Sequence, residues 1–268
     1  MSSLIPTLTR AQIAHLKKLF RDKQARQTNG TFIVEGAKSV RDLLRSFSGH
    51  VHTVVTTPTY RIREAESDRE LRESVSVRHM NCPEPAFASL SDVEAPQGIL
   101  AVVQRPVWDE GGVVTASPLF GVFGERIQDP LNVGTIIRTA AALGVSALWL
   151  TPDSADPFHP KVVRATGGAL LSFPIFQVPD VTGLVRAGCA IIAAEAHGPA
   201  TVPLDSITSI PVRSILAVGN EGNGLSTQLR DVASHLMTIP LGRGIDSLNV
   251  AATVAIATYH LMHLPKTS

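Results

Sequence analysis

The chain has 268 residues, 44% of them hydrophobic, two cysteines and a formal net charge of +1. Such a composition excludes a disordered or collagen-like chain, and the length allows one large domain or two smaller ones. Nothing global demands a polyanion, but the charge is uneven. Residues 1–45 carry nine Lys or Arg against Asp22, Glu35 and Asp42, so this segment is +6 and the remainder −5. One basic end reads equally as a nucleic-acid footprint or as an exposed amphipathic helix.

Cys82 and Cys189 stand far apart in no ligand-like spacing, which argues against a disulfide framework and fits a reducing, cytoplasmic setting. Charges arrive every few residues from Arg10 onward, so no signal-peptide core is expected. The one candidate membrane span is the last helix, and its Asn249, His260 and His263, without flanking aromatic anchors, reject it.

In chain order, Thr9-Arg-Ala-Gln12 predicts a capping box and a helix to about Ala25, broken by Gln27-Thr-Asn-Gly30. Strand Thr31–Val34, helix Ala37–Arg45, strand Val51–Thr57, helix Arg61–Glu73, strand Val75–His79, helix Pro85–Leu90 and strand Ile99–Gln104 follow. This alternation predicts a first α/β unit over residues 1–105. The turn formers in Arg105-Pro-Val-Trp-Asp-Glu-Gly-Gly suit a linker, placed at 106–117. A second α/β domain, 118–268, begins with strand Leu119–Phe123. It continues through helix Val133–Leu143, strand Ala147–Leu150, helix Lys161–Leu171, strand Pro174–Val178, helix Val181–Ala187 and strand Ala190–Ala194. Strand Ile215–Val218, helix Thr227–Ser234, strand Met237–Leu241 and a final helix complete it. A mostly parallel sheet is expected, with ligands at the carboxyl ends of its strands. Three polar and glycine clusters lie there: Glu125-Arg-Ile-Gln-Asp-Pro-Leu-Asn132, Gly219-Asn-Glu-Gly-Asn-Gly224 and Gly242-Arg-Gly-Ile-Asp-Ser247.

Each cluster has a plain reading beside a functional one. Asn132 is expected to N-cap its helix, with Val133, Ile136, Ile137 and Ala140 facing the core. Arg138 then points away, the one charge on its face, which favours a site or a subunit interface over a solvated surface. The 219–224 loop follows an apolar strand but is neither a Walker A loop nor Gly-x-Gly-x-x-Gly. Its Glu221 opposes a pyrophosphate, so a neutral or cationic ligand is easier to accept, an ordinary tight turn being the alternative. The last helix has no Lys, Arg, Asp or Glu between Ser247 and Pro265, and is expected to be buried by the core or by a partner chain. Asn249 at its head should cap backbone groups or grip a ligand. His260 and His263 read as structural rather than as metal ligands, and no metal is expected.

Three stretches carry a resemblance by their order and spacing. Glu125 to Ala140 resembles motif 1 of the SpoU/TrmH family of RNA ribose 2′-O-methyltransferases. Ala217-Val-Gly-Asn-Glu-Gly-Asn-Gly-Leu-Ser226 is similar to its motif 2, and Ile239-Pro-Leu-Gly with Ser247-Leu-Asn-Val-Ala-Ala to its motif 3. Lys161-Val-Val-Arg-Ala-Thr-Gly-Gly-Ala169 is also family-like. Gln27-Thr-Asn-Gly-Thr-Phe-Ile-Val-Glu-Gly36 is similar to an accessory substrate-binding domain that many members carry. The resemblance implies an α/β fold: an N-terminal L30e-like RNA-binding domain and a C-terminal SPOUT parallel-sheet domain with a deep trefoil knot. It implies S-adenosylmethionine held by backbone groups at Gly219, Ile239, Leu241 and Leu248, and at Ala194. It implies a homodimer through the knotted region, and RNA as the partner.

By the same carry-over Arg138, Asn132, Glu221, Ser247 and Asn249 are the catalytic set. A guanidinium stays protonated at cellular pH, so Arg138 is expected to position a phosphate and stabilise an alkoxide rather than act as a base. Asn132 and Ser247 are expected to orient RNA, and Glu221 and Asn249 to hold the loops. Lys23 and Arg26 join Arg138 as expected RNA contacts. Two departures, Ala251 where the family often has Ser and His260 where it often has Glu, bear on packing or dimer contacts. The expected reaction is methyl transfer to a ribose of 23S ribosomal RNA. Alternatives are a tRNA 2′-O-methyltransferase and a catalytically silent RNA-binding protein of ribosome assembly. A nucleotide-dependent oxidoreductase is weaker still, because the glycine fingerprint is absent.

Overall fold

The computed structural model describes residues 5–64, 69–74, 76–198 and 200–267. The chain divides into two compact units: Met1–Val107 with Phe158–Leu171, and Trp108–Pro157 with Ser172–Ser268.

In the first unit, α1 (Arg10–Arg21) opens with the expected capping box. Thr9 Oγ1 accepts from the Gln12 amide at 3.3 Å and Gln12 Oε1 from the Thr9 amide at 2.8 Å. The helix ends sooner than expected, because Asp22 leaves helical geometry and caps a new helix, α2 (Lys23–Asn29). Gly30, at φ 62°, ends α2 in the left-handed conformation that glycine adopts at least cost. Then come β1 (Thr31–Glu35), α3 (Ala37–Phe47), β2 (Val51–Thr56), α4 (Pro58–Glu64) and α5 (Arg69–Glu73). The expected helix Arg61–Glu73 is helical in α4 up to Glu64 and in α5 from Arg69, with residues 65–68 outside those described. β3 (Arg78–Asn81), α6 (Glu84–Leu90) and β4 (Ile99–Gln104) follow. The start of the expected strand Val75–His79 likewise lies outside the described residues. The sheet order is β1-β4-β2-β3, with β4 antiparallel to both neighbours and β2 parallel to β3. Leu16, Leu19 and Phe20 of α1 close one core of this unit together with Ile33, Val55, Phe87 and Leu100.

The second unit starts inside the segment expected to be a linker, with α7 (Glu110–Thr115). Glu110 Oε1 accepts from Nε1 of the buried Trp149 at 2.9 Å, and Trp108, Val113 and Val114 pack on the core around that tryptophan. After β5 (Leu119–Gly124), α8 (Pro130–Ala142) and β6 (Leu148–Leu150), the chain enters residues 158–171, which cluster with the first unit. This segment holds α9 (Pro160–Ala165). Its Phe158 ring packs 5.1 Å from Phe32 under the Arg105 guanidinium, and Arg164 pairs with Asp92 at 2.9 Å.

The second unit resumes with β7 (Ile175–Gln177), α10 (Thr182–Arg186), β8 (Ala190–Ala194), β9 (Thr201–Pro203) and β10 (Ile210–Pro211). It closes with β11 (Arg213–Val218), α11 (Thr227–Val232), β12 (His235–Thr238), α12 (Val250–Met262) and β13 (Lys266–Thr267). Seven strands pair in the order β7-β6-β5-β11-β8-β12-β9, all parallel. Such a sheet is buried on both faces, and its strands accordingly read as continuous apolar runs such as Ile215-Leu-Ala-Val218. β10 and β13 form a separate two-stranded pair. The mixed α/β class with a parallel sheet is as expected.

Candidate active site in the second unit

Three adjacent strands, β11, β8 and β12, release their chains at one end of the sheet, and a cavity of about 610 Å³ lies there. Its walls come from residues 194–197 at the end of β8, 218–224 at the end of β11, 237–239 and 241 at the end of β12, and the head of α12. Carboxyl ends of parallel strands are where open α/β sheets bind ligands. All five positions expected to hold a cofactor, Ala194, Gly219, Ile239, Leu241 and Leu248, line this cavity, as do Glu221, Ser247 and Asn249.

The lining contains Glu195, Glu221 and Asp246 and no Lys or Arg. A cavity of that charge suits a cationic or neutral ligand and disfavours a phosphate. Gly219 fixes the shape of its loop: a Cβ there would stand 2.4 Å from both C and O of Gly224. No side chain fits without moving backbone.

A polar relay joins three loops beside the cavity. Asn132 Nδ2 donates to Glu221 Oε1 at 2.9 Å, while Asn132 Oδ1 accepts from Asn249 Nδ2 at 2.8 Å. Glu221 also accepts from the backbone amides of Gln128 and Asp129, at 3.3 and 3.4 Å. Burial pushes the Glu221 carboxyl up, but the Asn132 amide and the backbone N–H groups outweigh it and hold it below the ordinary carboxylate range. Asn249 does the second job expected of it: its Oδ1 accepts from the amides of Ala251 and Ala252 and caps α12.

Two expectations require correction. Asn132 does not cap α8. Asp129 does, its Oδ1 accepting from the Leu131 amide at 2.9 Å with Pro130 in the first helical turn. That leaves the Asn132 amide, 7% exposed, free for the relay. Arg26 is not a surface cation. It is 2% exposed, and its Nη1 donates to the carbonyls of Leu19 at 2.8 Å and Phe20 at 3.3 Å, satisfying the last turn of α1. Lys23 is half-buried on α2 of the first unit. Arg138 is exposed on α8, away from the buried face of Val133, Ile136, Ile137 and Ala140, with no ion pair among the described residues. Ser247 is exposed at the cavity, whereas Arg138 and Asn132 are not part of its lining.

Three further residues hold the loops together and were not singled out from sequence. Glu125 Oε2 accepts from the Ser226 amide at 2.8 Å and pairs with Arg126. Arg126 sits at φ 56°, unusual for a side chain of that size. Its Nη2 reaches the Gly224 carbonyl, and its own carbonyl accepts from Asn220 Nδ2 at 2.8 Å. Asn220 Oδ1 in turn accepts from the amides of Gly222 and Asn223, an Asx turn that Asn-Glu-Gly-Asn could have announced. Nothing in local propensity marks Glu125 or Arg126.

Parallel-sheet architecture, a strand-end cavity and an acid–amide relay beside it together define an α/β protein with room for a small ligand among its strand-end loops. The sequence model of the SpoU rRNA Methylase family matches residues 120–259, and that of an MRM3-like substrate binding domain matches residues 10–101. An uncharacterized tRNA/rRNA methyltransferase of Synechocystis sp. is 30% identical over 97% of this chain and 94% of its own. A 23S rRNA (guanosine(2553)-2′-O)-methyltransferase of Bacillus subtilis is 32% identical over 91% of this chain and 93% of its own. Among solved structures, the SpoU methyltransferase AviRb of Streptomyces viridochromogenes in complex with AdoMet superposes with a TM-score of 0.78 at 26% identity, covering 94% of this chain and 97% of that one. An AdoMet-bound rRNA methyltransferase of Sinorhizobium meliloti gives 0.76 at 27%, covering 96% and 95%. The chain belongs to the SpoU rRNA methylase family.

Proposed function

We propose that the protein is an S-adenosylmethionine-dependent RNA ribose 2′-O-methyltransferase whose substrate is 23S ribosomal RNA. The observation that carries this is the Glu221–Asn132–Asn249 relay, set beside a strand-end cavity whose lining includes Glu195, Glu221 and Asp246 and no Lys or Arg. The relatives named for 23S rRNA 2′-O-methylation support the substrate class. The cavity suits the methyl donor, whose sulfonium is a cation. Backbone groups around Gly219, Ile239, Leu241 and Leu248, with Ala194, would hold it, and it would supply an electrophilic methyl group.

The ribose 2′-hydroxyl is a weak nucleophile until it is oriented and loses its proton. Exposed and without an ion pair among the described residues, Arg138 is available to hold a neighbouring phosphate and to balance charge as the alkoxide forms. Glu221, with its pKa held down and both oxygens engaged, is a poor proton acceptor. Its work is to keep the 219–224 loop against the turn before α8. Ser247, exposed at the cavity, orients RNA.

Three finer features belong to the same reading. The order β5-β11-β8-β12, in which the chain returns between strands already laid down, supports a C-terminal trefoil knot of the SPOUT type. Ile256 at 44% and Tyr259 at 62% exposure on α12, with Leu131 at 60% on α8, support a homodimer through helices that would otherwise leave apolar surface in water. The first unit, with its mixed four-stranded sheet, supports an L30e-like RNA-binding role. Arg10, Lys18 and Arg21 are exposed along α1 and form no ion pair among the described residues, which gives that unit a phosphate-facing side. No helix among the described residues is long and apolar enough to cross a membrane.

The test is transfer of labelled methyl from S-adenosylmethionine to unmodified large-subunit ribosomal RNA and, separately, to unmodified tRNA, each digested to nucleosides. Label on a 2′-O-methyl nucleoside from the ribosomal pool is expected. Label on a base refutes the role given to Arg138, and label from the tRNA pool moves the substrate class. Cofactor binding without transfer to either RNA, or to ribosomal subunits, refutes the enzyme reading.

A further inference from the structure

We propose that Glu195 recognises the ribose hydroxyls of the nucleoside cofactor, with Arg230 holding its carboxylate in position. This rests on the methyl-donor reading of the same cavity and adds a side chain that selects the ligand.

Glu195 is the first residue beyond β8, at the middle of the cavity wall. Its backbone amide still donates to the Met237 carbonyl at 2.9 Å, so its Cα is fixed by the sheet rather than by a loop. The side chain is 14% exposed, and Oε1 accepts from Nε of Arg230, on α11, at 2.6 Å. One oxygen is therefore anchored, and the other, Oε2, close to Gly198, carries no hydrogen bond among the described residues, on an acceptor-only group. A bound molecule that displaces water from this wall must offer it donors, or the site bears the cost of a desolvated carboxylate.

Geometry selects among the donors such a cofactor carries. The relay residues lie on α8, the β11 loop and α12, and the reacting centre must face them. β8 pairs with the far side of β11 from β5, and neighbouring strands lie about 4.8 Å apart. Glu195 thus stands one strand spacing beyond the β11 loop, a distance that suits the ribose next to the reacting centre. Vicinal hydroxyls give two neutral donors to one carboxylate. An acid at a strand end accepting from a ribose hydroxyl is the arrangement that dinucleotide folds use for the same chemistry. The competing reading is an ion pair that only pins α11 to the end of β8. Such a pair would affect every ligand of the cavity alike.

Calorimetric binding separates the two. The probes are S-adenosylhomocysteine, its 2′-deoxy and 3′-deoxy analogues, and its analogue lacking the α-amino group. The wild-type chain is expected to bind the deoxy analogues at least about tenfold more weakly than S-adenosylhomocysteine, since a site built around a hydroxyl rejects the analogue that lacks it. Glu195→Gln, which keeps the shape, and Glu195→Ala are expected to bind S-adenosylhomocysteine about as weakly as the deoxy analogues and to stop distinguishing them. Arg230→Gln should narrow the discrimination without abolishing it. Equal weakening of all four ligands in the Glu195 variants overturns the proposal in favour of the structural pair. Selective blindness to the amino group overturns it in favour of that ammonium. Failure of the wild-type chain to bind S-adenosylhomocysteine overturns the methyl-donor reading and this assignment with it, an outcome distinct from both.

Discussion

Replacing Asn132 with Asp alters one terminal group of a buried, otherwise isosteric side chain, and its effect can be worked from the relay. The change removes the donor to Glu221 Oε1 at 2.9 Å and sets a second carboxylate in its place. A hydrogen bond to a charged group contributes about 1.5–3 kcal/mol, and the exposure of Glu221 puts this one at the lower end. Two like charges about 4 Å apart repel by about 1 kcal/mol in water and about 4 at an effective dielectric of 20. Asn249 keeps an oxygen to donate to, so that bond survives. The two terms sum to an expected destabilisation of the second unit of about 2.5–5.5 kcal/mol at neutral pH. In the wild-type chain Glu221 is depressed below 4.5, so its contribution is present above the unfolded value and is lost as pH falls through the folded one. In the variant the facing carboxylates are raised, and their penalty grows as pH rises and fades once a proton bridges them. Both terms make the deficit large near pH 7 and small below about pH 4. Urea unfolding followed by tryptophan fluorescence reads the right unit, because both tryptophans, Trp108 and Trp149, belong to it. An equal deficit at the two pH values refutes the electrostatic account of the relay.

Gly219→Ala should weaken S-adenosylhomocysteine binding at least about tenfold, because the added Cβ meets backbone at 2.4 Å; an unchanged Kd by calorimetry would sink the role given to that loop. Asn249→Ala should cost about 2 kcal/mol in urea unfolding, roughly half from the lost cap and half from the lost bond to Asn132. Asn249→Ser, which keeps only the cap, should recover the first half. Arg138→Ala should abolish methyl transfer while leaving S-adenosylhomocysteine affinity within about twofold, since Arg138 lies outside the cavity lining; equal loss of both refutes that division of labour. Arg26→Met should destabilise the first unit by about 2 kcal/mol and leave the salt dependence of RNA binding alone. Lys18→Gln should instead lower the salt slope by about 1 with little effect on stability.

The contrast between Arg26 and Arg138 shows where sequence reading of this chain reaches its limit. Both are single arginines on helices, and charge counting treats them alike. Arg138 could be placed because its helix has a strong apolar face, Val133-Ile136-Ile137-Ala140, which fixes the opposite side as exposed. Arg26 lies on a seven-residue helix with no such stripe, and its burial depends on a break at Asp22 that only tertiary packing decides. A similar limit applies to α9. The apolar pattern of Val162 and Val163 announces a helix, but periodicity does not say which core receives it, and this one packs with the first unit, against Phe32 and Asp92. β9, β10 and β13, two or three residues each, are too short to carry a period.

The location of the candidate site, at strand ends that carry glycine and amide clusters, was legible in the sequence for a physical reason. Its cavity is built from strand ends, glycines and side-chain amides whose demands are local: a loop that admits no Cβ at Gly219, a helix head that needs Asn249 as its cap. What stayed hidden were the bonds between loops far apart in sequence, Asn132 to Glu221 and Asn249, Glu125 to Ser226, Arg126 to Gly224. Asn132 illustrates the consequence. An Asn132 that capped α8 would have engaged its oxygen with its own helix, whereas here that oxygen accepts from Asn249 Nδ2. By supplying Asp129 and Pro130 as the local start of α8, the sequence leaves the Asn132 side chain free to join loops that the sheet brings together. The local rule that predicted a cap and the long-range bonds that replaced it compete for the same oxygen atom, and three residues of spacing along the chain settle which one wins.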